Sequence, residues 1–181
     1  MANTKGSSLR GLIALLKTYG ERARAALDPE FHDLLDETVI SCKWYPEPAL
    51  VALIRAAVQL SGQPENERLA EMGRAAAQHH FERLYADLAR TSMRDVKALV
   101  LWSAQHDTGQ MRLAQISDRS ARYDLVGFGH PTPEVCAITT AYLGESFRIT
   151  GAASIDVEHV ACVLRGEDRC GWLCRWRLPE D

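Results

Sequence analysis

Cysteine is the residue type of this chain whose number and spacing could do chemistry. The chain has 181 residues and five cysteines, three of them among the last 20 positions: Cys42, Cys136, Cys162, Cys170 and Cys174. An odd number of thiols in a chain with no export signal does not predict a disulfide framework. Thiolate sulfur is a preferred ligand of zinc, and free cysteine is also one of the most buried residue types. The cluster therefore predicts either a metal site or thiols packed in a core.

The C-terminal thiols lie in a predicted β-hairpin. Residues 154–178 alternate between apolar and polar side chains on both sides of Arg165–Asp168, which is typical of two strands joined by a turn. With the turn centred on Gly166, Cys162 and Cys170 face each other at a Cβ separation of about 4.5–5.5 Å. The same register predicts two further cross-strand pairs: Val160 with Trp172, and Glu158 with Cys174.

Facing thiols allow three interpretations. Both can be small apolar side chains of the core, they can form a reversible disulfide, or they can ligate a metal. Zinc needs four ligands, and Cys136 is available from the preceding helix while His159 or Glu158 stands just upstream of Cys162. A regular strand places His159 and Cys162 on opposite faces. His159 can therefore reach the metal only if the strand contains a β-bulge.

Helices precede and separate the strands that must position these side chains. Apolar residues at helical spacing predict helices over about 8–19, 29–35, 47–60, 66–90, 92–105 and 133–150. Alternation predicts one extended segment and a first hairpin, over 39–45, 111–116 and 121–128. The order predicts an α+β fold in which N-terminal helices pack on an antiparallel sheet made of two hairpins with one inserted helix. We expect one domain over residues 1–181.

Composition excludes several classes of protein. The hydrophobic fraction of 46% is too high for a disordered chain, and no run of about 18 apolar residues is present to cross a bilayer. Acidic residues outnumber basic ones by 24 to 21, which argues against nucleic acid or a membrane surface as a partner. The apolar run Leu12–Leu16 is too short for a secretion signal, so a cytoplasmic location is expected.

Motifs of common enzyme classes are absent from the sequence. It contains no G-x-S-x-G elbow, no P-loop, no dinucleotide fingerprint and no H-E-x-x-H. Hydrolase, nucleotide-dependent and metalloprotease chemistry therefore has no visible site. We expect a protein that is not an enzyme and that binds no nucleotide.

The tail from Glu158 to Cys170, EHVACVLRGEDRC, carries a resemblance to a known family. It is similar to the closing motif of the 4-vinyl reductase domain family, in which two cysteines flank a central glycine in a terminal hairpin. Lys43–Pro46 and Leu69–Ala77 resemble uncharacterised bacterial members of the same superfamily. That superfamily is the ligand-binding domain of nitric-oxide signalling and Golgi transport proteins.

The resemblance implies an α+β fold, commonly dimeric, that binds small hydrophobic molecules and does not catalyse. Relatives include aromatic-effector sensors, haem-based gas sensors and TRAPP vesicle-tethering subunits with a lipid tunnel. In the aromatic sensors three cysteines and a glutamate hold a zinc ion, and Cys136, Cys162 and Cys170 are similarly placed here. His159 stands where the acidic ligand is expected, and Glu158 is one place away. The predicted metal ligands are therefore Cys136, His159, Cys162 and Cys170, around a structural zinc.

Large aromatic residues near the predicted junction of helices and sheet are candidates to line a ligand cavity: Trp44, Tyr85, Trp102, Phe128, Tyr142 and Trp172. For each of them, ordinary core packing is the alternative, because pockets for small molecules have the same apolar composition. His80 falls on the apolar stripe of its helix, which favours a hydrogen-bonded core histidine. No proximal haem motif is evident, so haem is not expected.

The sequence thus predicts a non-enzymatic domain that binds or senses a hydrophobic small molecule and acts as a homodimer in signalling, with a protein partner to receive the signal. One alternative is an interaction scaffold of TRAPP-like fold with a filled cavity. A second alternative is an accessory factor or reductase in tetrapyrrole metabolism.

Overall fold

A helical half opens the chain. The computed structural model describes residues 2–83 and 102–179. The first of these ranges contains β1 (Asn3–Lys5), α1 (Gly6–Lys17), α2 (Glu21–Ala26), a 3-10 turn (Pro29–Phe31), α3 (Asp33–Asp36), β2 (Trp44–Pro46), α4 (Glu47–Ser61) and α5 (Glu65–Arg83).

Two hairpins with a helix between them make up the second range. Its elements are α6 (Trp102–Gln105), β3 (Gln110–Ile116), β4 (Ser120–Val126), α7 (Pro133–Ile149), β5 (Ser154–Ala161), a 3-10 turn (Val163–Arg165) and β6 (Cys170–Arg177). The four strands form one antiparallel sheet in the order β3-β4-β6-β5. The predicted α+β fold of helices, two hairpins and an inserted helix is confirmed.

Apolar side chains of the two halves form separate cores. In the helical half, α1 and α4 contribute most of the buried residues, among them Leu9, Leu16 and Leu53. In the other half, the inner face of the sheet packs on α7, with Tyr123 and Trp172 wholly buried. The alternation of buried and half-buried residues along β4 is the pattern expected of a strand with one face in a core.

Helices α5 and α7 connect the two halves through a close crossing. At Gly73 of α5, an added Cβ would lie 2.8 Å from the Cβ of Ala141 on α7. No larger residue fits there without moving one of the helices, since non-bonded carbon atoms pack at about 3.5–4.0 Å. Gly73 thus allows α7, and the residues it carries, to lie directly on the helical half.

The C-terminal hairpin differs in register from the sequence prediction. In β5 the pairing with β6 shifts between His159 and Ala161, which is a β-bulge. His159 therefore pairs with Trp172, and Val157 pairs with Cys174. The predicted pairs of Val160 with Trp172 and of Glu158 with Cys174 are wrong, because simple counting from the turn assumes a regular ladder.

Smaller differences concern the lengths of elements. Of the predicted extended segment 39–45, only its end belongs to a strand, β2, which pairs with the N-terminal β1. The predicted helix over 66–90 is described as far as Arg83, and that over 92–105 only from Trp102 onward, because 84–101 lie outside the described residues. Within the described ranges, no helix has the length and apolar character needed to cross a membrane.

Tyr123 provides a test of the sheet core. Its side chain is 0% exposed, and its hydroxyl has no hydrogen-bond partner. A buried polar group without a partner costs about 1–3 kcal/mol. We expect Tyr123→Phe to raise the free energy of unfolding in urea by about 1 kcal/mol or more, because it removes this hydroxyl and keeps the ring.

Tyr142→Phe is the matched control, because the hydroxyl of Tyr142 lies 3.1 Å from Nδ1 of His80 and is hydrogen-bonded. This control should lower the free energy of unfolding. A Tyr123→Phe variant that is less stable than the wild type would show that the Tyr123 hydroxyl has a partner after all.

Candidate metal centre

Three thiols converge where α7 meets the turn end of the C-terminal hairpin. Cys136 comes from the first turn of α7, Cys162 follows β5, and Cys170 begins β6. The Sγ of Cys136 lies 4.0 Å from that of Cys162 and 3.9 Å from that of Cys170, and the last two are 4.0 Å apart. All three are free thiols in buried positions. They form a nearly equilateral triangle of sulfur atoms.

The triangle has the size of one face of a zinc tetrahedron. Zinc–sulfur bonds of about 2.3 Å at tetrahedral angles place neighbouring sulfur atoms about 3.8 Å apart. The observed sulfur separations of 3.9–4.0 Å exceed that length by only a small amount. A zinc ion could therefore bind all three thiolates after side-chain movements of a few tenths of an ångström.

His159 is the candidate for the fourth vertex. One ring nitrogen of His159 and the three sulfur atoms all lie within 4.8 Å of one another. Its Nε2 is buried and has no hydrogen-bond partner. The bulge that follows His159 in β5 places the imidazole on the same face as the thiols. In a regular strand His159 and Cys162 would project from opposite faces. The four residues expected to bind metal thus lie together, and zinc binding itself remains a prediction.

Glu158, the alternative fourth ligand, points elsewhere. Its side chain is 57% exposed, and a carboxylate oxygen lies 3.2 Å from the guanidinium of Arg175. Successive residues of a strand project to opposite faces of the sheet, so Glu158 and His159 cannot both face the thiols. Between the two candidates, the fold places His159 at the cluster.

Local structure fixes where each thiol points. At the start of α7, Thr132 caps the helix by accepting a hydrogen bond from the backbone N–H of Val135 at 3.3 Å, and Pro133 follows at a position that suits its fixed backbone. In the hairpin, the Glu167 carboxylate accepts a hydrogen bond from the backbone N–H of Cys162. Gly166 closes this turn with a φ of +89°, which favours glycine.

Burial sets the protonation of the cluster in the absence of metal. It raises the pKa of Cys136, with the neighbouring thiols adding to the effect, and it raises the pKa of Cys170. Burial lowers the pKa of His159, and the charge of Arg165 lowers it further. The imidazole is therefore neutral near pH 7 and offers a lone pair, whereas the thiols must release protons when a metal binds.

The two remaining cysteines stand apart from the cluster. Cys174 is wholly buried on the inner face of β6, where burial raises its pKa to about 12, and Cys42 is exposed. Neither belongs to the group of potential metal ligands found among the described residues. Both are therefore suitable positions for control substitutions.

Four of the six aromatic residues predicted to line a cavity lie in or against the sheet-side core. Trp172 is at its centre, Trp102 and Phe128 contact each other edge to face at 5.0 Å, and Tyr142 packs on the same core. Trp44 is 40% exposed on β2 with the ammonium of Lys5 over its ring. The sixth residue, Tyr85, lies outside the described residues.

A buried polar pair joins the two halves and was not predicted from sequence. Glu47, at the start of α4, is wholly buried and bonds to Nδ1 of His106. The ring of His106 stacks on Trp102 with centroids 4.1 Å apart. No local sequence pattern connects the two residues, because they are 59 positions apart in the chain.

Comparison with protein-family models and with curated proteins gives no match. Solved structures of the same fold include an H-NOX protein from S. oneidensis in the Fe(II) ligation state, with 14% identity, a TM-score of 0.70 and coverage of 96% of each chain. An oxygen-binding H-NOX domain related to soluble guanylate cyclases has 14% identity and a TM-score of 0.65 over 97% of this chain and 96% of its own.

A mutant H-NOX protein from K. algicida, in the Fe(II) unliganded state, has 10% identity and a TM-score of 0.64 over 97% of each chain. Sequence identities this low establish a shared fold and no more. The shared fold agrees with the predicted α+β architecture, and the 4-vinyl reductase and TRAPP parts of the resemblance gain no support from these structures.

The expectation that haem has no place here needs correction. Structures of this fold were solved as Fe(II), Fe(II)NO and oxygen complexes, and one concerns haem distortion in the H-NOX family. Sequence reasoning looked for a short haem motif, and a fold shared at 10–14% identity need not retain one.

Three histidines of the described residues contact other side chains. Nδ1 of His80 bonds to Tyr142 and Nδ1 of His106 to Glu47, and a ring nitrogen of His159 lies within 4.8 Å of the three thiols. Bonds at Nδ1 do not exclude a haem ligand, because metal-bound histidines commonly use one nitrogen for the metal and the other for a hydrogen bond. Two surface hollows of about 290 and 300 Å³ are lined by other residues of α2, α4, β5 and β6.

His80 generates a prediction on pH. Burial, followed by the charges of His79 and His106, lowers its pKa to about 4. The unfolded chain, with an ordinary histidine pKa of about 6.5, therefore binds more protons between pH 6.5 and pH 4, and stability must fall as the pH falls through this range. We expect the free energy of unfolding to drop by about 1–2 kcal/mol between pH 7 and pH 5 through this group.

Urea titrations of the wild type and of His80→Gln at the two pH values measure this contribution. The variant should lose less stability than the wild type on acidification. His79→Gln, at an exposed position, should fall between the two, because it removes only a secondary cause of the lowered pKa of His80. Equal losses in the wild type and His80→Gln would show that His80 does not titrate in this way.

Proposed function

We propose that the chain is a non-enzymatic sensor domain for a small apolar ligand, stapled by one structural zinc ion held by Cys136, His159, Cys162 and Cys170. It acts as a single unit over residues 1–181, as a homodimer in cytoplasmic signalling, and passes its signal to a protein partner. The observation that carries the proposal is the convergence of three buried thiols and one imidazole from α7, β5 and β6.

The donor set supports zinc over other common metals. Thiolate and imidazole are the ligands of structural zinc, whereas magnesium and calcium take oxygen ligands. Four protein ligands fill a tetrahedron and leave no position open for water, which is typical of a structural site and not of a catalytic one. The proposed zinc thus joins helix and sheet and supplies no chemistry to a substrate.

A bound metal would stabilise the fold because the proposed ligands are buried. Nε2 of His159 is buried with no hydrogen-bond partner, and such a group destabilises the fold by about 1–3 kcal/mol unless something satisfies it. A metal ion between the three sulfur atoms and this nitrogen satisfies the nitrogen and replaces the weak contacts between the thiols. Zinc binding therefore contributes directly to folding stability.

The sensing part of the proposal is supported by the fold and by the aromatic core. Structures of this fold include an H-NOX protein in the Fe(II)NO ligation state and an oxygen-binding H-NOX domain in its oxygen complex. In this chain the sheet-side core contains Trp102, Phe128 and Tyr142, which are only partly buried and pack where the helical half meets the sheet. This junction is the proposed position of the ligand, since pockets form preferentially between packed layers.

Zinc analysis of purified variants tests the proposed staple. We expect about one zinc per wild-type chain by elemental mass spectrometry. Removal of a ligand by Cys136→Ser, Cys162→Ser or His159→Ala should weaken zinc binding in a chelator competition by at least about tenfold. Cys174→Ser and Cys42→Ser, which alter thiols outside the cluster, should retain wild-type affinity.

Two results would contradict the proposed zinc site. A wild-type chain purified without added chelator that contains no metal, takes up no added zinc, and shows the cluster thiols freely titratable once unfolded, would exclude it. Loss of zinc in Cys174→Ser to the same extent as in Cys136→Ser would also contradict the assignment of ligands.

Native mass spectrometry followed by denaturing extraction tests the sensing proposal. A dimer that releases a small apolar molecule supports it, and substitution of Phe128 by Asp should abolish retention of that molecule because a charge is costly in an apolar site. A Soret absorption band in the purified protein would identify the ligand as a haem. A chain that retains no small molecule and binds a protein directly would instead favour the scaffold alternative.

A further inference from the structure

Trp172 connects two of the proposed metal ligands: it stacks on His159 and is hydrogen-bonded, through Thr140, to the helix segment of Cys136. It is wholly buried in the middle of the sheet and pairs with His159 across β5 and β6. The indole and imidazole rings are stacked, with centroids 4.9 Å apart and planes inclined by 12°. A flat stack of this kind restricts rotation of the imidazole about its Cβ–Cγ bond, because turning the ring would drive its edge into the indole face.

The N–H edge of the indole is hydrogen-bonded to the helix that carries Cys136. Nε1–H of Trp172 donates a hydrogen bond to Oγ1 of Thr140 at 2.9 Å. The Thr140 hydroxyl in turn donates to the carbonyl oxygen of Cys136 at 2.8 Å. One hydroxyl group can do both, since it has one proton to donate and lone pairs that accept. The bonds run without a break from the indole to the backbone of the first thiol ligand.

The imidazole is held in an orientation that suits a metal ligand. Its Nε2 is buried without a hydrogen-bond partner. A ring nitrogen of His159 and the three sulfur atoms all lie within 4.8 Å of one another. The stack on Trp172 fixes the plane of the ring on the side where the thiols converge.

We infer that Trp172 and Thr140 are positioning residues of the metal site, which hold the imidazole of His159 and the α7 segment of Cys136 at a fixed separation. This inference rests on the proposed zinc site. Neither residue touches the metal. Both act by limiting how far the two ligands can move apart, so they should control how readily the metal leaves more than whether it can bind.

Thr140→Val tests the inference with a small change of shape. Valine occupies nearly the same volume as threonine but cannot accept the indole N–H or donate to Cys136. We expect zinc transfer from the variant to an excess of chelator to be about tenfold faster than from the wild type, at unchanged zinc content. Thr139→Val is the matched control on the same helix, because the Thr139 hydroxyl is not the acceptor of the indole, and it should release zinc at the wild-type rate.

Trp172→Phe supplies a second, independent variant, in which an aromatic ring remains to stack on His159 but the N–H is lost. It should release zinc faster, as Thr140→Val does, and the double variant should be no faster than the faster single one, since both break the same connection. Cobalt(II) in place of zinc reports geometry. The thiolate-to-cobalt absorption bands should shift in Trp172→Phe, and not in Thr139→Val.

The outcomes separate this inference from the function on which it rests. A wild-type protein that binds neither zinc nor cobalt overturns both. A wild-type protein that binds zinc, with Thr140→Val and Trp172→Phe variants that release it at the wild-type rate, overturns the positioning role alone. The same holds if the two variants lower the melting temperature of the metal-free protein but leave the rate of metal release and the cobalt spectrum unchanged, because this is the behaviour of ordinary core residues.

Discussion

A shift of one residue in the pairing of β5 with β6 determines what the C-terminal hairpin can do. Without the shift between His159 and Ala161, the imidazole and the Cys162 thiol would project from opposite faces of the strand. With it, both meet Cys136 and Cys170 within 4.8 Å. The neighbouring Glu158 is thereby turned outward to Arg175, where its charge remains in solvent and costs no desolvation. The bulge thus selects the proposed ligand set.

The position of this cluster explains why a metal there would matter to the whole fold. Its members come from α7 and from both strands of the terminal hairpin, and α7 in turn crosses α5 closely at Gly73. Fixing the cluster therefore fixes the sheet-side core against the helix that connects it with the helical half. A second, purely polar connection between the halves is the buried bond between Glu47 and His106.

Local sequence patterns were sufficient for the architecture and for three of the four cluster members. Cysteine spacing, the turn around Gly166 and the periodicity of α7 are properties of short segments, and each can be identified from the residues themselves. His159 was preferred to Glu158 on the family resemblance and not on the strand pattern, because a bulge leaves that pattern almost unchanged while it reverses which side chains face inward. The pairing of Glu47 with His106 escaped prediction because it joins positions far apart in the chain. Haem was rejected on the absence of a short motif, and only the comparison of whole folds corrected that.

The central claim is that three thiolates and one imidazole bind one zinc ion. Extended X-ray absorption fine structure at the zinc edge of the wild-type protein tests it most directly. The proposed site predicts three sulfur atoms at about 2.3 Å and one nitrogen at about 2.0–2.1 Å from the zinc. A shell made only of oxygen and nitrogen, or a shell with fewer than three sulfur atoms, would contradict it.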